Sequence, residues 1–296
     1  MGQKIRRSRN DRIFDFLNTL LMTLVALLII YPLYFVVIAS VSEPNAVYQG
    51  QVVLLPKGFT LEGYQRILDS KNIWRGYRNS LVYTVLGTTI NVCLTLLAAY
   101  PLSRKDFVGA SPILFLYTFT MIFSGGMIPT YMNIKELGLI NTVWAMVLPG
   151  AIAAYNLIVA RTFFKTSIPD ELLESAMIDG CSNTRFFARI VLPLSPTLIA
   201  ILVLFYGVGH WNAYFDALLY LTDEKRYPLQ LVLRAILLLN EALAAMSVED
   251  DPVLLQRRAD LIKYGVIIVA SLPLLVLYPF LQKYFVKGLM IGSIKG

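Results

Sequence analysis

Glu174, Gly180 and Pro193 punctuate a charged segment, ESAMIDGCSNTRFFARIVLP, that sits between long apolar stretches. Just before it, Ser167-Ile-Pro169-Asp-Glu reads as a helix start. Ser167 or Ile168 would cap it, Pro169 would lie in the first turn, and Asp170 and Glu171 would follow where the helix dipole favours negative charge. Leu172, Leu173, Ala176 and Met177 recur at helical spacing on one face, and Asp170, Glu171 and Glu174 line the other. Gly180 is the expected stop, because glycine takes a left-handed backbone without steric cost. Ser182 or Asn183 can cap a second short helix carrying Phe186, Phe187 and Ile190, and Pro193 and Pro196 mark the entry into the next apolar stretch. An ordinary connector would be shorter and less patterned. The chemistry available to a helix–glycine–helix elbow of this kind is docking: fixed acids and an apolar face offered to a partner.

Bond-breaking chemistry finds little support. There is no G-x-x-x-x-G-K-[ST], so the chain itself is not expected to bind ATP. One histidine, His210, leaves no His-based metal site. No nucleophile–base–acid set is evident. Cys93 and Cys181 fall in segments that cannot meet, so no disulfide framework is expected. A second group of residues carries polarity into the apolar stretches: Asn91, Tyr155, Asn156, Tyr206, His210, Trp211, Asn212 and Tyr214. Polar groups in such places point to a pathway or cavity. Interfacial aromatic belts and helix-to-helix hydrogen bonds are the competing explanations.

The elements that must position these residues are membrane helices. Of 296 residues 57% are hydrophobic and 15% charged, against about 25% charged in soluble domains, and the mean hydropathy is +0.63. Six windows lack Lys, Arg, Asp and Glu: 16–42, 79–103, 107–134, 137–160, 190–215 and 264–282. Each is long enough to cross a bilayer, which predicts an all-α, six-span chain in one domain, 1–296, with spans near 14–40, 79–102, 110–132, 140–161, 194–217 and 264–285. The segment 227–248 is interrupted by Arg234, Asn240 and Glu241 and reads as an amphipathic or re-entrant helix. Lys4, Arg6, Arg7, Arg9 and Arg12 precede the first window, so both termini are expected in the cytoplasm. The loop 165–192 is then cytoplasmic and the loop 217–262 lies outside. The net charge of +7 is therefore read as a topology signal, not as a nucleic-acid footprint.

The elbow resembles the cytoplasmic loop signature E-A-A-x3-G-x9-I-x-L-P of ABC importer permeases. Here it reads Glu174-Ser175-Ala176, Gly180 and Ile190-Val191-Leu192-Pro193, with Ser175 replacing the first alanine. "IPDELLESAMIDG", "HWNAYFDALLYLTDEKRYPLQLVL" and "YFVKGLMIGSIKG" are similar to MalG-type sugar permeases, and within them to the LplC/YtcP branch associated with complex oligosaccharides. The resemblance implies a type I importer permease fold with a coupling helix formed by Glu171, Glu174, Ser175, Ala176, Asp179, Gly180, Ile190, Leu192 and Pro193. It implies a second homologous permease, a homodimeric ATPase that binds the ATP and magnesium, and an extracytoplasmic solute-binding protein contacted through Asp223, Glu224, Glu249, Asp250 and Asp251. It places the chain in a bacterial plasma membrane, with no cofactor of its own. Sugars need hydrogen-bond partners beside flat apolar faces, which the Asn, His, Trp and Tyr group provides.

Two other function classes were weighed. An ion-coupled secondary transporter needs internal repeats or buried coupling acids, and the six windows contain no acid. A membrane-embedded enzyme lacks its catalytic set. Within the importer reading, a non-sugar solute stays open.

Overall fold

The computed structural model describes residues 8–246, 262–280 and 282. Among them the chain is helical throughout, with no strand. In chain order the helices are α1 (Arg9–Ser40), α2 (Pro44–Tyr48), α3 (Glu62–Asp69), α4 (Lys71–Ser103), α5 (Ala110–Ile122), α6 (Met127–Glu136) and α7 (Trp144–Val147). They continue as α8 (Ala154–Ser167), α9 (Asp170–Ile178), α10 (Asn183–Phe186), α11 (Pro196–Trp211), α12 (Phe215–Tyr220), α13 (Leu229–Met246) and α14 (Ile262–Phe280). The residues form two compact units, one drawn from 1–70 with 236–271 and the other from 71–235 with 272–296.

α1, α4 and α14 are each long and apolar enough to cross a membrane. Two bent helix pairs are apolar and long enough only when each pair is taken together, as a broken span or a re-entrant loop: α5 with α6 at 118°, and the stretch Asn183–Val191 with α11 at 85°. The sequence predicts an unbroken span near 110–132 over the first pair, whereas the second bend falls where Pro193 and Pro196 are expected to mark the entry into an apolar stretch. Gly125 and Gly126 separate α5 from α6, and Pro193 and Pro196 flank the turn into α11. The window 137–160 is likewise divided, between α7 and α8, by a turn around Pro149 and Gly150. The segment 227–248 contains the single helix α13, whose Leu229, Leu231, Val232 and Leu233 are buried while Arg234 is exposed.

In the first unit, α1 starts with a capping box: Ser8 accepts from the backbone of the first turn and Asp11 returns a bond to the Ser8 N–H at 2.9 Å. From Ile13 to Leu33 its large apolar side chains are exposed all round. A helix apolar on every face seeks lipid or another helix. Its end is held by the Tyr64 hydroxyl, which donates to Ser40 Oγ at 2.8 Å, and by Phe35 edge-on to Tyr264.

In the second unit, α4 packs along α11 and α8. Ser80, Thr84, Thr88, Asn91 and Thr95 recur every three or four residues and so form one polar face of α4. Ser80 Oγ accepts from the Leu229 N–H at 2.8 Å, at the start of α13. Asn91 Nδ2 meets His210 Nε2 at 3.0 Å, and Thr95 Oγ1 meets the Tyr206 hydroxyl at 2.7 Å. The numbers rise along α4 as they fall along α11, so the two helices run antiparallel. Gly87 makes their close approach possible: a Cβ there would lie 2.5 Å from His210 Nε2. Replacing Gly87 by alanine will push the His210 ring off Asn91 and lower stability by about 1–3 kcal/mol, the usual cost of overpacking. Thermal unfolding in detergent will show it, with Gly209→Ala, where a Cβ meets nothing within 4 Å, as the silent control.

Candidate functional site

The elbow is built from α9, a glycine turn and α10. The sequence predicts a cap at Ser167 or Ile168 with Pro169 in the first turn. The structure places Pro169 itself at the cap, in extended conformation (φ −65°, ψ 144°), and starts the helix at Asp170. Ser167 is still the last residue of α8, and Ile168, preceding a proline, is held extended (φ −111°, ψ 103°). Two residues are therefore consumed by the turn between the helices.

At the other end Gly180 adopts φ +73°, as expected. The Cys181 N–H donates to Ala176 O at 2.9 Å and the Gly180 N–H to Met177 O at 3.0 Å, which is the paired-bond stop that consumes the free carbonyls of a helix end. Ser182 caps α10, its Oγ accepting from the Arg185 N–H at 3.4 Å. The chain then passes through a π-helical turn, Phe187–Val191, before the bend into α11. Ile190, Leu192 and Pro193 lie in that turn and its exit.

The faces of α9 differ from the expectation. Of the four residues assigned to one apolar face, Ala176 is buried and Leu173 half-buried, but Leu172 and Met177 are 40% and 47% exposed. Ile178 is 86% exposed. A helix of nine residues resting on one flank cannot bury a wide apolar stripe, so part of it points outward beside the exposed Glu171, Glu174, Ser175 and Asp179. The outward surface is thus mixed, apolar at its tip and acidic on its sides.

Sequence reasoning missed the anchor beneath the elbow. Tyr100, near the end of α4, lies tilted against Phe187 at 4.9 Å and meets Phe164 of α8 edge-on at 6.0 Å. Arg104 grips Asp106 through Nε and Nη2 at 2.7 and 2.5 Å, and its Nη1 donates to the Tyr100 hydroxyl at 3.1 Å and to Asn183 Oδ1 at 3.2 Å. Lys105 Nζ meets Asp170 Oδ2 at 2.6 Å. The hydrogen bond from Arg104 holds the Asp106 carboxyl below its ordinary pKa, and the hydrogen bond to Asp170 raises that of Lys105. The Asp106 contribution is present at neutral pH and lost as acid protonates it below its unfolded pKa. The Lys105 contribution is also present at neutral pH and lost as pH rises through its raised pKa. Asp106 and Lys105 are therefore both charged at pH 7. The signal available in the sequence was the Arg104-Lys105-Asp106 run directly after the charge-free window 79–103.

The intramembrane candidates divide into groups. Asn91, Tyr206 and His210 meet on the α4–α11 face, where the Tyr206 hydroxyl also accepts from the Ala153 N–H at 3.1 Å. The Asn91 Oδ1 and the hydroxyls of Thr84 and Thr88 are buried without a hydrogen-bond partner. Trp211 is buried edge-on against Tyr77 at 5.8 Å. Asn156 is buried on α8, whereas its neighbour Tyr155 is exposed and tilted against Phe205 at 6.3 Å. Asn212 accepts from Gln230 Nε2 at 3.5 Å, and the Arg234 guanidinium lies 5.1 Å over the Tyr214 ring. An apolar cavity of about 480 Å³ runs beside α4 and α11; Thr84 and Thr88 line it, and of the eight sequence candidates Trp211 does. Of the acidic candidates, Asp223 is engaged in its own turn, accepting from the Lys225 N–H at 2.9 Å, and Glu224 is exposed. Glu249, Asp250 and Asp251 lie outside the described residues.

This arrangement matches known proteins along its whole length. The chain is 41% identical to the polygalacturonan/rhamnogalacturonan transport system permease protein YtcP of Bacillus subtilis, over 97% of this chain and 99% of that protein. The chain belongs to the ABC importer permease family. It is also 41% identical to Protein LplC of Bacillus subtilis, over 99% of this chain and 98% of that protein. One chain of the crystal structure of a bacterial ABC transporter involved in the import of the acidic polysaccharide alginate superposes with a TM-score of 0.84 at 31% identity, covering 95% of this chain and 100% of that one. No protein-family model matches. The permease is therefore a membrane protein with a transport role, one component of a multi-component ABC system.

Tyr206 is the polar junction of this permease, tying α11 to α4 and to the start of α8. Tyr206→Phe leaves the Thr95 hydroxyl and the Ala153 N–H without their shared partner. It will cost about 1–3 kcal/mol, the penalty of stranding buried polar groups, measured as a fall in the unfolding temperature of the purified permease.

Proposed function

We propose that this permease moves oligosaccharides or polysaccharide fragments inward across a bacterial plasma membrane, as one of two homologous permeases driven by a homodimeric ATPase. It would do so as a single domain of six crossings, near 14–40, 79–102, 110–132, 140–161, 194–217 and 264–285, with both termini in the cytoplasm. The loop 165–192 is the docking lever and the loop 217–262 faces outward. ATP and magnesium sit in the partner ATPase, and the permease has no cofactor of its own.

One observation carries the reading. Leu172, Met177 and Ile178 stand exposed beside Glu171 and Glu174, on a turn held rigid by Gly180 and Ser182. A small apolar tip ringed by acids fits a cleft with basic walls, and its backbone geometry would deliver a push without bending. Glu174 meets a cation of the ATPase, Ser175 and Ala176 keep the helix slim against the cleft, and Asp179 with Gly180 forms the turn. Ile190, Leu192 and Pro193 pass the displacement into α11. Exchange between inward and outward access then follows as a rigid-body tilt of the spans.

The substrate class rests on the relatives: YtcP is named for polygalacturonan and rhamnogalacturonan, and the structural relative for alginate. Asn91, Asn156, Tyr155, Tyr206, His210, Trp211, Asn212 and Tyr214 supply amides, an imidazole and flat rings of the kind sugars use. Asp223, Glu224, Glu249, Asp250 and Asp251 offer an acidic surface to an extracytoplasmic solute-binding protein.

The test is to tag the permease, solubilise it gently from its native membrane and identify what co-purifies. The wild type will bring a second permease and an ATPase. Glu174→Lys combined with Gly180→Pro will lose the ATPase while keeping the second permease. A permease that purifies alone, or partners indifferent to both changes, contradicts the reading.

A further inference from the structure

We infer that Arg104 and Lys105 are positioning residues that make α4, as well as α11, a receiver of the elbow's motion. The inference rests on the elbow being the ATPase lever proposed above.

The tripeptide Arg104-Lys105-Asp106 follows directly from the end of α4. It reaches both arms of the elbow, on either side of the Gly180 turn. Lys105 holds Asp170 at the first residue of α9, and Arg104 holds Asn183 at the first residue of α10. The two grips are unequal. The Lys105–Asp170 pair is exposed, with side chains 80% and 57% accessible, and such pairs contribute little alone. The Arg104 side chain is only 12% accessible and is fixed by a two-point grip on Asp106. It also lies 5.9 Å over the Tyr100 ring, the same ring that packs against Phe187. A planar guanidinium held on several sides transmits displacement where a lone ammonium would not.

The geometry has a consequence for motion. A lever joined only through its chain ends, to α8 at Ser167 and to α11 past Pro193, could swing α11 against α4. With Arg104 and Tyr100 in place, α9, α10 and the end of α4 move together. α4 in turn carries Asn91 against His210 and Thr95 against Tyr206. The helix pair therefore shifts as one body, and the register of its polar face survives the stroke.

The experiment uses the assembled transporter in proteoliposomes with its binding protein, testing galacturonate oligomers as the transported probe. ATPase retention on the purified complex is read first, then hydrolysis with and without the loaded binding protein, then uptake per ATP. Arg104→Gln will retain the ATPase and its basal hydrolysis. Stimulation and uptake per ATP will each fall about tenfold, within the range of coupling between distant sites. Lys105→Asp and Asp170→Lys will each lower coupling, and the two together will restore it. Arg104→Gln with wild-type stimulation overturns the inference. So does loss of the ATPase from Arg104→Gln, which would assign Arg104 to docking. Failure of the wild type to hold an ATPase overturns the lever itself. An independent check avoids any folding defect: Lys105→Cys with Asp170→Cys, in a Cys93→Ser, Cys181→Ser background, joined by a short cross-linker. The linked transporter will keep stimulated hydrolysis and uptake. Their loss on linking would mean that α9 slides past the end of α4, and the inference fails.

Discussion

Hydrocarbon offers no water to a polar group, so each buried hydroxyl or amide inside a membrane helix seeks a partner within the protein. The face of α4 from Ser80 to Thr95 is the place where this constraint shapes the permease most. Its partners come from α11 and from the start of α13, and a slip of one turn would exchange every one of them. Gly87 lets the His210 ring sit almost on the α4 backbone, so distance and register are set at the same point. Around this pair the apolar core gathers residues from α8 and the elbow, including Leu157, Phe164, Ala176 and Phe186. The free acceptor on Asn91 and the free hydroxyls of Thr84 and Thr88 mark positions where the pairing is incomplete.

The elbow solves a different problem. A helix of nine residues has little stability of its own in water. Its ends are closed by main-chain bonds at Gly180 and by charge at Asp170, and its inner flank rests on Leu173 and Ala176. That leaves Leu172, Met177 and Ile178 exposed in the folded chain, an apolar surface that nothing in the chain covers among the described residues. The aromatic contacts of Tyr100 with Phe164 and Phe187 then join this small element to two long helices. Rigidity at the base and exposed apolar area at the tip are what a docking lever requires.

Much of this was legible from residue types and local order. Gly180 and Ser182 act through backbone preferences that depend on a few neighbours, and both behave as their positions predict. The all-helical class followed from six charge-free windows. What was not legible depended on tertiary contact. Pro169 became the cap because α8 runs on through Ser167 and Ile168 is held extended, which leaves neither of them to start α9. Leu172 and Met177 turned outward because only a neighbouring surface decides which flank of an amphipathic helix is covered. Asn91 and His210 were each recognisable as polar residues among apolar ones, but 119 residues separate them and no local pattern announces their pairing. Arg104 stands 79 residues from Asn183, and nothing local to either announces the bond between them.

The central claim is that the elbow tip enters an ATPase on the cytoplasmic side. The most direct measurement is site-specific cross-linking from position 178 in native membranes. Ile178→Cys, in a background without Cys93 and Cys181, would be joined by a short bifunctional reagent to whatever lies against it. The account predicts one dominant adduct, with the ATP-hydrolysing subunit, that diminishes when Glu174 is also reversed to lysine. An Ile178→Cys that forms no such adduct, and that is instead labelled by a membrane-impermeant thiol reagent added outside intact cells, would contradict it.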